Sequence, residues 1–422
     1  MITRVFHRRA AAGPDVAATF LRWTWLRAMF HRGYVLVSGL YFVVHDQLSA
    51  SQLVLLGTAV SVTLVIADIP AGSWSDALSR KWPLVIGHGF LAAGMVMTGA
   101  VTAFPLILAT QVLWGLGWAF SGGADVAWLT DELDRPGRVA RVLTARARKD
   151  LTGGAAGMII FGVLGWVAGL ATAIVISGVA MAVLGLFVAA RFTEDNFTPA
   201  PQHRWRTSLS LLRRGSALVR RDHEILLVLT ATLIINGAGI VSWLFPRQLV
   251  DLGFGGDPVL RYTAIGIASF ALGAAALRIV EARIDGAGAA RRIYALACLT
   301  GTAGLIVLVC APSALIGGVG VLLASGICFN VTRAVSVIWV NRRTTSEVRA
   351  TVHSFLSQAE SVGEICGGVT FALLARAAGT SATLITAAAL VAGAGAMVIR
   401  ARRARQRRSP GQLRWCRSRW RG

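Results

Sequence analysis

Between positions 29 and 399 long apolar runs alternate with short polar connectors, and each run is long enough to cross a membrane as a helix, which takes roughly 20 residues. Twelve spans are predicted, near 29–44, 53–71, 83–102, 106–129, 151–168, 172–190, 225–245, 262–280, 293–310, 314–340, 351–375 and 382–399. The longest hydrophilic stretch, 191–224, contains Pro199 and Pro201 and a basic amphipathic segment near 208–221. It divides the spans six and six. The expected organisation is an N-terminal six-helix bundle (1–190), a cytoplasmic linker (191–224), a C-terminal six-helix bundle (225–399) and a basic cytoplasmic tail (400–422). The predicted class is an all-α membrane protein of 12 transmembrane helices in two pseudo-symmetric bundles.

Charge gives the runs an orientation. Arg4, Arg8, Arg9, Arg22, Arg27 and Arg32 precede the first span, and Arg400 to Arg421 follow the last. Alternate connectors hold Arg80 and Lys81, then Arg135 to Lys149, Arg191 to Arg221, Arg283 to Arg292 and Arg342 to Arg349. The connectors between these are nearly free of basic residues, with Arg247, Arg261 and Arg376 as exceptions. Basic residues are retained on the cytoplasmic side of short loops, so both termini are expected in the cytoplasm.

The 422 residues are 55% hydrophobic and 15% charged, which excludes an ordinary soluble domain. The net charge of +22 suggests nucleic acid at first sight. Its place in membrane-flanking loops points instead to anionic lipids at the cytoplasmic face, with no nucleic-acid partner. The tail, with Trp415 and Trp420 among its arginines, reads as a membrane-surface segment. Cys298, Cys310, Cys328 and Cys366 lie in or beside apolar spans and Cys416 in the tail; no metal, disulfide or cofactor is expected. No cleavable signal peptide is expected at the arginine-rich start. Heavy use of Arg, Ala and Gly, with Lys81 and Lys149 the only lysines, suggests a bacterial chain and hence an inner-membrane location.

The halves share an order of features. Gly153 and Gly157 open the fifth span, and Gly363 and Gly367 recur in the eleventh. Upstream come Gly117 and Gly326, Trp128 and Trp339, then Arg141 and Arg349. With the midpoint linker, this suggests a duplicated six-helix unit.

Between the second and third spans stand Gly72, Asp76, Arg80, Lys81 and Leu84, a glycine and a carboxylate followed by paired basic residues. The small residue suits a close helix approach, and the carboxylate beside the basic residues suits a charge-assisted clasp. This run resembles the signature loop of the major facilitator superfamily. Ala77 replaces a usual basic residue and Ser79 a usual glycine. The runs Trp114 to Leu133 and Ser346 to Ser354 are similar to segments of its bacterial exporters. Two features depart from the proton-coupled drug exporters: Gln111 precedes Gly115 where an arginine is common, and Met158 follows Gly157 where proline is common.

Ionisable groups within membrane spans cost about 2.5–3.5 kcal/mol each on insertion scales, so each invites a reason. Glu360 and Glu364 lie one turn apart on the eleventh span, and Asp125 lies in the inner half of the fourth; these are the candidates for proton or ion coupling. A buried glutamic acid that only ties helices together is the competing reading of Glu364. Arg333 on the tenth span is a candidate gate or solute anchor, with Asp125 across the bundle as partner or with a carboxylate of its own half. Gln111, Asn236 and Asn330 are candidate cavity hydrogen-bonding groups, and Tyr41, Trp114, Trp118 and Trp243 candidate aromatic walls, each also explicable as packing. His88 and His353 read as structural.

No metalloprotease motif is present, since Ile, Leu and Leu follow His223 and Glu224, and neither lysine sits in a phosphate-binding loop. The chain reads as a non-enzyme. The resemblance implies a monomeric secondary transporter working by alternating access, with proton-coupled export of a small amphipathic or hydrophobic compound. An uptake symporter or uniporter for a small polar metabolite is the second reading, and a transport-inactive scaffold or sensor the third.

Overall fold

In the computed structural model, residues 15–133, 136–198, 219, 222–286, 288–344 and 346–408 are described, and they form helices with no strand among them. Most of the linker segment at 208–221, and the tail beyond Arg408, lie outside the described residues. In chain order the long helices are α1 (Val16–Val44), α2 (Ala50–Ala77), α3 (Lys81–Thr98), α4 (Phe104–Leu133), α5 (Pro136–Ala168) and α6 (Leu170–Arg191). They continue with α7 (His223–Asp251), α8 (Pro258–Arg283), α9 (Ala289–Cys310) and α10 (Ala314–Asn341). The stretch Ser346–Arg408 breaks at Gly379 into α11 (346–378) and α12 (380–408).

Helix ends follow local chemistry. Asp15 accepts from the Ala17 N–H at the head of α1, and Ser49 and Gln52 cap α2 reciprocally. Asp222 and Asp257 cap α7 and α8, with Pro258 at the first turn of α8. Gly169 (φ 90°) and Gly379 (φ 80°) separate α5 from α6 and α11 from α12, in a region where side chains are strained.

Nine helical stretches among the described residues are long and apolar enough to cross a membrane, one of them covering both α11 and α12. Helices α1 and α3 fall outside that set. Arg22, Arg27, His31 and Arg32 ride on α1, and α3 is short and begins with Lys81. Several helices outrun their predicted spans. Helix α1 starts at Val16 rather than near 29, and α5 at Pro136 rather than near 151. The expected spans stop where arginines begin, yet arginine is a good helix former and its stem lies along apolar surface. Thus Arg22, Arg27, Arg32 and Arg138 to Lys149, read as connector charges, belong to helices.

Glycine contacts reveal the internal repeat. A Cβ on Gly153 or Gly157 would strike the Trp25 or Met29 carbonyl of α1; on Gly363 or Gly367 it would strike the Leu233 or Gly237 carbonyl of α7. Gly94 meets the Thr110 carbonyl as Gly304 meets that of Gly320, and Gly185 meets His88 as Gly395 meets Cys298. These four glycine pairs, and Gly169 with Gly379, stand 210 positions apart. The expected match of Gly117 with Gly326 does not hold. Gly117 packs on α3, at Leu91 and Gly87, whereas Gly326 packs on α8 at Ser269; its counterpart is Gly115, which packs on α2 at Thr63.

The halves meet along α2 with α11, where Gly368 abuts Thr58, and along α5 with α8, where Gly162 abuts Thr263. At one end Arg247 of α7 donates to the Leu48 carbonyl at 2.8 Å, and Gly39 faces Tyr262 and Pro246. That end is closed.

Candidate functional site

Below this closed end a void lies between the halves as three adjacent compartments, the second sharing lining residues with each of the other two. The first, about 370 Å³, is lined by Ser61, Trp114, Asn236, Trp243, Asn330, Arg333 and Glu364, among others. The second, about 570 Å³, shares Trp114, Trp243 and Asn330 and adds Arg32, Tyr34, Gln111, Tyr262 and Phe270. The third, about 300 Å³, is lined by Arg27, His31, Arg32, Trp118, Arg146, Asp150 and Phe270.

Two irregular turns shape the walls. Helix α7 tightens to a 3₁₀ turn at Ile240–Leu244, which presents Ser242 and Trp243. Helix α10 widens to a π turn at Leu322–Phe329, which presents Ser325 and Phe329. Such departures from the regular ladder concentrate at functional sites, and in transporter folds interrupted helices carry the binding residues. The spans as read from apolarity gave no sign of either.

Glu364 lines the first compartment, and its Oε2 accepts from Ser61 Oγ at 2.7 Å. This bond joins α11 of one half to α2 of the other. Arg333 donates to Glu360 at 3.1 Å, with the Arg333 side chain 70% exposed and Glu360 mostly buried. Asp125 does not meet Arg333. It is buried in the first half, accepting from Arg146 at 2.6 Å and Arg27 at 3.4 Å, while Arg146 also reaches Asp150 at 3.7 Å. Two arginines nearer in its own half outcompete the one across the bundle, so the pair Asp125–Arg333 is not formed.

The uncharged candidates divide. Gln111 is buried, donating to Thr110 Oγ1 at 3.1 Å, and lines the second compartment. Asn236 and Asn330 line the void with their amide nitrogens bonded to Thr232 and to Ser325 and Gly326 carbonyls, leaving their side-chain oxygens as acceptors. Trp114 and Trp118 flank His31, at 5.5 and 4.8 Å between ring centroids, and the Arg27 guanidinium lies 4.5 Å from the Trp118 ring. Tyr41 is not a wall: it is 2% exposed, stacked on the exposed ring of His45 and absent from the lining. His88 accepts from Trp23 Nε1 at 3.1 Å and is bonded to the Leu84 carbonyl; His353 is bonded to Asn341.

At the α2–α3 turn, Arg80 pairs with Asp76 and, at 3.3 Å, with Asp131 at the end of α4. The clasp as seen is therefore confined to one half. Gly72 is not a close-packing glycine here, since a Cβ on it would meet open space. A residue unforeseen in the sequence completes the turn. Glu194, just beyond α6, accepts from Ser79 Oγ at 2.7 Å, from the Lys81 N–H at 2.9 Å and from the Arg80 N–H. A carboxylate at the positive end of α3 is favoured by the helix dipole, and Ser79, where glycine is usual, supplies a further donor. Ser61, His31 and Arg32 also line the void, and a serine or a helix-end arginine carries no special pattern in the sequence.

A family model described as Major Facilitator Superfamily matches residues 24–352. No curated protein matches the chain. Among solved structures it is similar to the nucleoside transporter NupG, at TM-score 0.75 and 12% identity over 92% of this chain and 98% of that one. A bacterial homologue of the human lysosomal transporter Spinster, inward-facing and occupied, gives 0.73 and 14%, over 92% and 96%. The POT family transporter PepTSo gives 0.71 and 12%, over 94% and 99%. Identities this low carry the fold alone. The family match over well over half of the sequence, together with this arrangement of helices, means that the chain belongs to the major facilitator superfamily.

Proposed function

We propose that this multi-pass membrane protein is a secondary transporter that exports a small amphipathic compound in exchange for protons. Two six-helix units, 1–190 and 225–399, rock about the void between them, with the linker 191–224, both termini and the tail 400–422 on the cytoplasmic side. Twelve crossings follow if α1 and α3 span along with the others. The basic connectors then put the Leu48–Arg247 closure outside, so the void opens inward. The protein works as a monomer in a bacterial inner membrane, its basic face against anionic lipid.

The single observation that carries the reading is the Ser61–Glu364 hydrogen bond, which lies in the void and ties the halves together. An ionised Glu364 accepts from Ser61. A protonated one no longer needs that donor, so proton loading changes what holds α2 to α11. Solute and proton thereby act on the same contact, which is what exchange requires. The walls fit an amphipathic solute, with Trp114, Trp243 and Phe329 beside Asn236, Asn330 and Ser325. The resemblance of Ser346 to Ser354 to exporter segments favours the outward direction.

Purified protein in proteoliposomes provides the test. Glu364→Gln is expected to abolish flux driven by a pH gradient while retaining solute counterflow; undiminished gradient-driven flux in the variant rules out its role. Accumulation of the solute in cells lacking the protein is expected under export, and depletion would reverse the direction.

A further inference from the structure

The two halves differ by one residue at the wall of the void. Up to Thr110 in α4 and Gly320 in α10 they run 210 positions apart, since Gly94 meets the first carbonyl as Gly304 meets the second. Beyond these the step is 211: Gly115 packs at Thr63 as Gly326 does at Ser269, and Leu91 packs on Gly117 as Gly301 does on Cys328. Helix α10 thus holds one residue more than α4, and its π turn at Leu322–Phe329 absorbs the addition. The wider turn disturbs the ladder. The Asn330 backbone N–H goes to the Ile327 carbonyl, and the Asn330 side-chain amide takes the carbonyls of Ser325 and Gly326 at 2.9 and 3.1 Å. Gly273 of α8 makes room, for a Cβ there would lie 2.8 Å from Asn330 Nδ2. In the first half the same position is Ala119, which has no such group.

An amide nitrogen carries two hydrogens, and Asn330 spends both, so its Oδ1 is left as an acceptor on the void. Asn236 spends one on the Thr232 carbonyl at 2.8 Å and leaves its Oδ1 in the same way. With N and O exchanged, either amide would set its oxygen against a carbonyl oxygen, so the orientation is fixed. The two amides lie close together. Helices α7 and α10 run antiparallel, touching at Thr232 with Ser336 (3.1 Å) and at Gly239 with Phe329. In that register Asn236 stands opposite Thr332, two residues or about 3 Å along the axis from Asn330. The hydroxyls beside them are spent, Thr332 donating to the Cys328 carbonyl at 2.8 Å and Thr232 to Ser336. Trp243 and Phe329 line the same compartment.

We propose that the solute carries an unsubstituted nitrogen head, a primary amine or primary amide, which donates one N–H to Asn236 Oδ1 and another to Asn330 Oδ1 while its apolar body lies against Trp243 and Phe329. This rests on the transporter reading and names the head group of its solute. Two fixed acceptors ask for two donors on one atom, and an NH2 or NH3+ group is a small group that offers them. Selection follows from pairing: a methylated head covers an acceptor without bonding it.

Calorimetric titration of the purified full chain tests this with tryptamine and its N,N-dimethyl and N,N,N-trimethyl derivatives, all cationic, which lose N–H donors in turn. Indolepropionamide and its N,N-dimethyl amide form the uncharged arm. In at least one arm the unsubstituted head is expected to bind about tenfold or more tighter than the fully methylated one, and that arm tells amine from amide. Asn236→Leu, which leaves the π turn untouched, should erase the preference while the fully methylated compound binds as before, and Asn330→Leu should do the same. Glu364→Gln should keep the preference, because charge is equal within each arm. The proposal is overturned if neither unsubstituted compound binds at millimolar concentration or if methylation costs nothing. It is equally overturned if Asn236→Leu leaves the preference in place or Glu364→Gln removes it. Binding in the expected order without movement in proteoliposomes overturns the transport reading and leaves the head group standing. Proton-driven flux of compounds that lack N–H, with no preference for the unsubstituted head, does the reverse.

Discussion

Asp125 and Asp76 show how differently two carboxylates of one half are used. Asp125 is 3% exposed and holds two arginines, whereas the Asp76 side chain is 58% exposed beside Arg80. Asp125→Asn would leave Arg27 without its carboxylate and Arg146 with only the 3.7 Å contact to Asp150. Breaking a buried pair from one side costs about 3–5 kcal/mol, whereas an exposed pair is worth about 0–1 kcal/mol. Asp125→Asn is therefore expected to lower the thermal unfolding midpoint in detergent sharply and Asp76→Asn to leave it nearly in place; equal shifts would refute the distinction. The importance of Asp125 was legible as a charge inside an apolar span. Its partners were not, because Arg27 and Arg146 sit in basic stretches that orientation alone would explain.

At the scale of the helix, glycine separates packing from mere presence. Gly157 has the Met29 carbonyl where a Cβ would stand, and Gly72 has nothing within 4 Å. Backbone cannot rotate aside as a flexible side chain can, so Gly157→Val should push α5 off α1 and cost about 1–3 kcal/mol or more. Gly72→Ala should be neutral or slightly stabilising, since alanine is the better helix former. Unfolding midpoints of the two variants check this, and a destabilised Gly72→Ala would contradict the open space. The recurrence of Gly153 and Gly157 at Gly363 and Gly367 was visible in the chain. The 3₁₀ and π turns of α7 and α10 were not, because apolar periodicity reports burial and is blind to a one-residue change in hydrogen-bond step.

The whole molecule has one closed end and a void reaching toward the other. Leu48, at the closure, is 3% exposed, and the Arg333 side chain is 70% exposed. In a background with Cys310, Cys366 and Cys416 replaced by alanine, Arg333→Cys should react with a polar thiol reagent and Leu48→Cys should not. Conditions that turn the carrier over should reverse that order. Rapid labelling of both in every condition would exclude alternating access as drawn here.

The all-helical, multi-pass character, the repeat and the family were written in the chain itself, because transfer into hydrocarbon, loop charge and motif spacing are properties of contiguous residues. Which charges meet, which glycines touch and where space remains were decided only by the fold. Ser61 and Glu364 are 303 residues apart and Arg27 and Asp125 are 98 apart. Local periodicity carries no information over such separations; helix packing alone brings these groups within reach of one another.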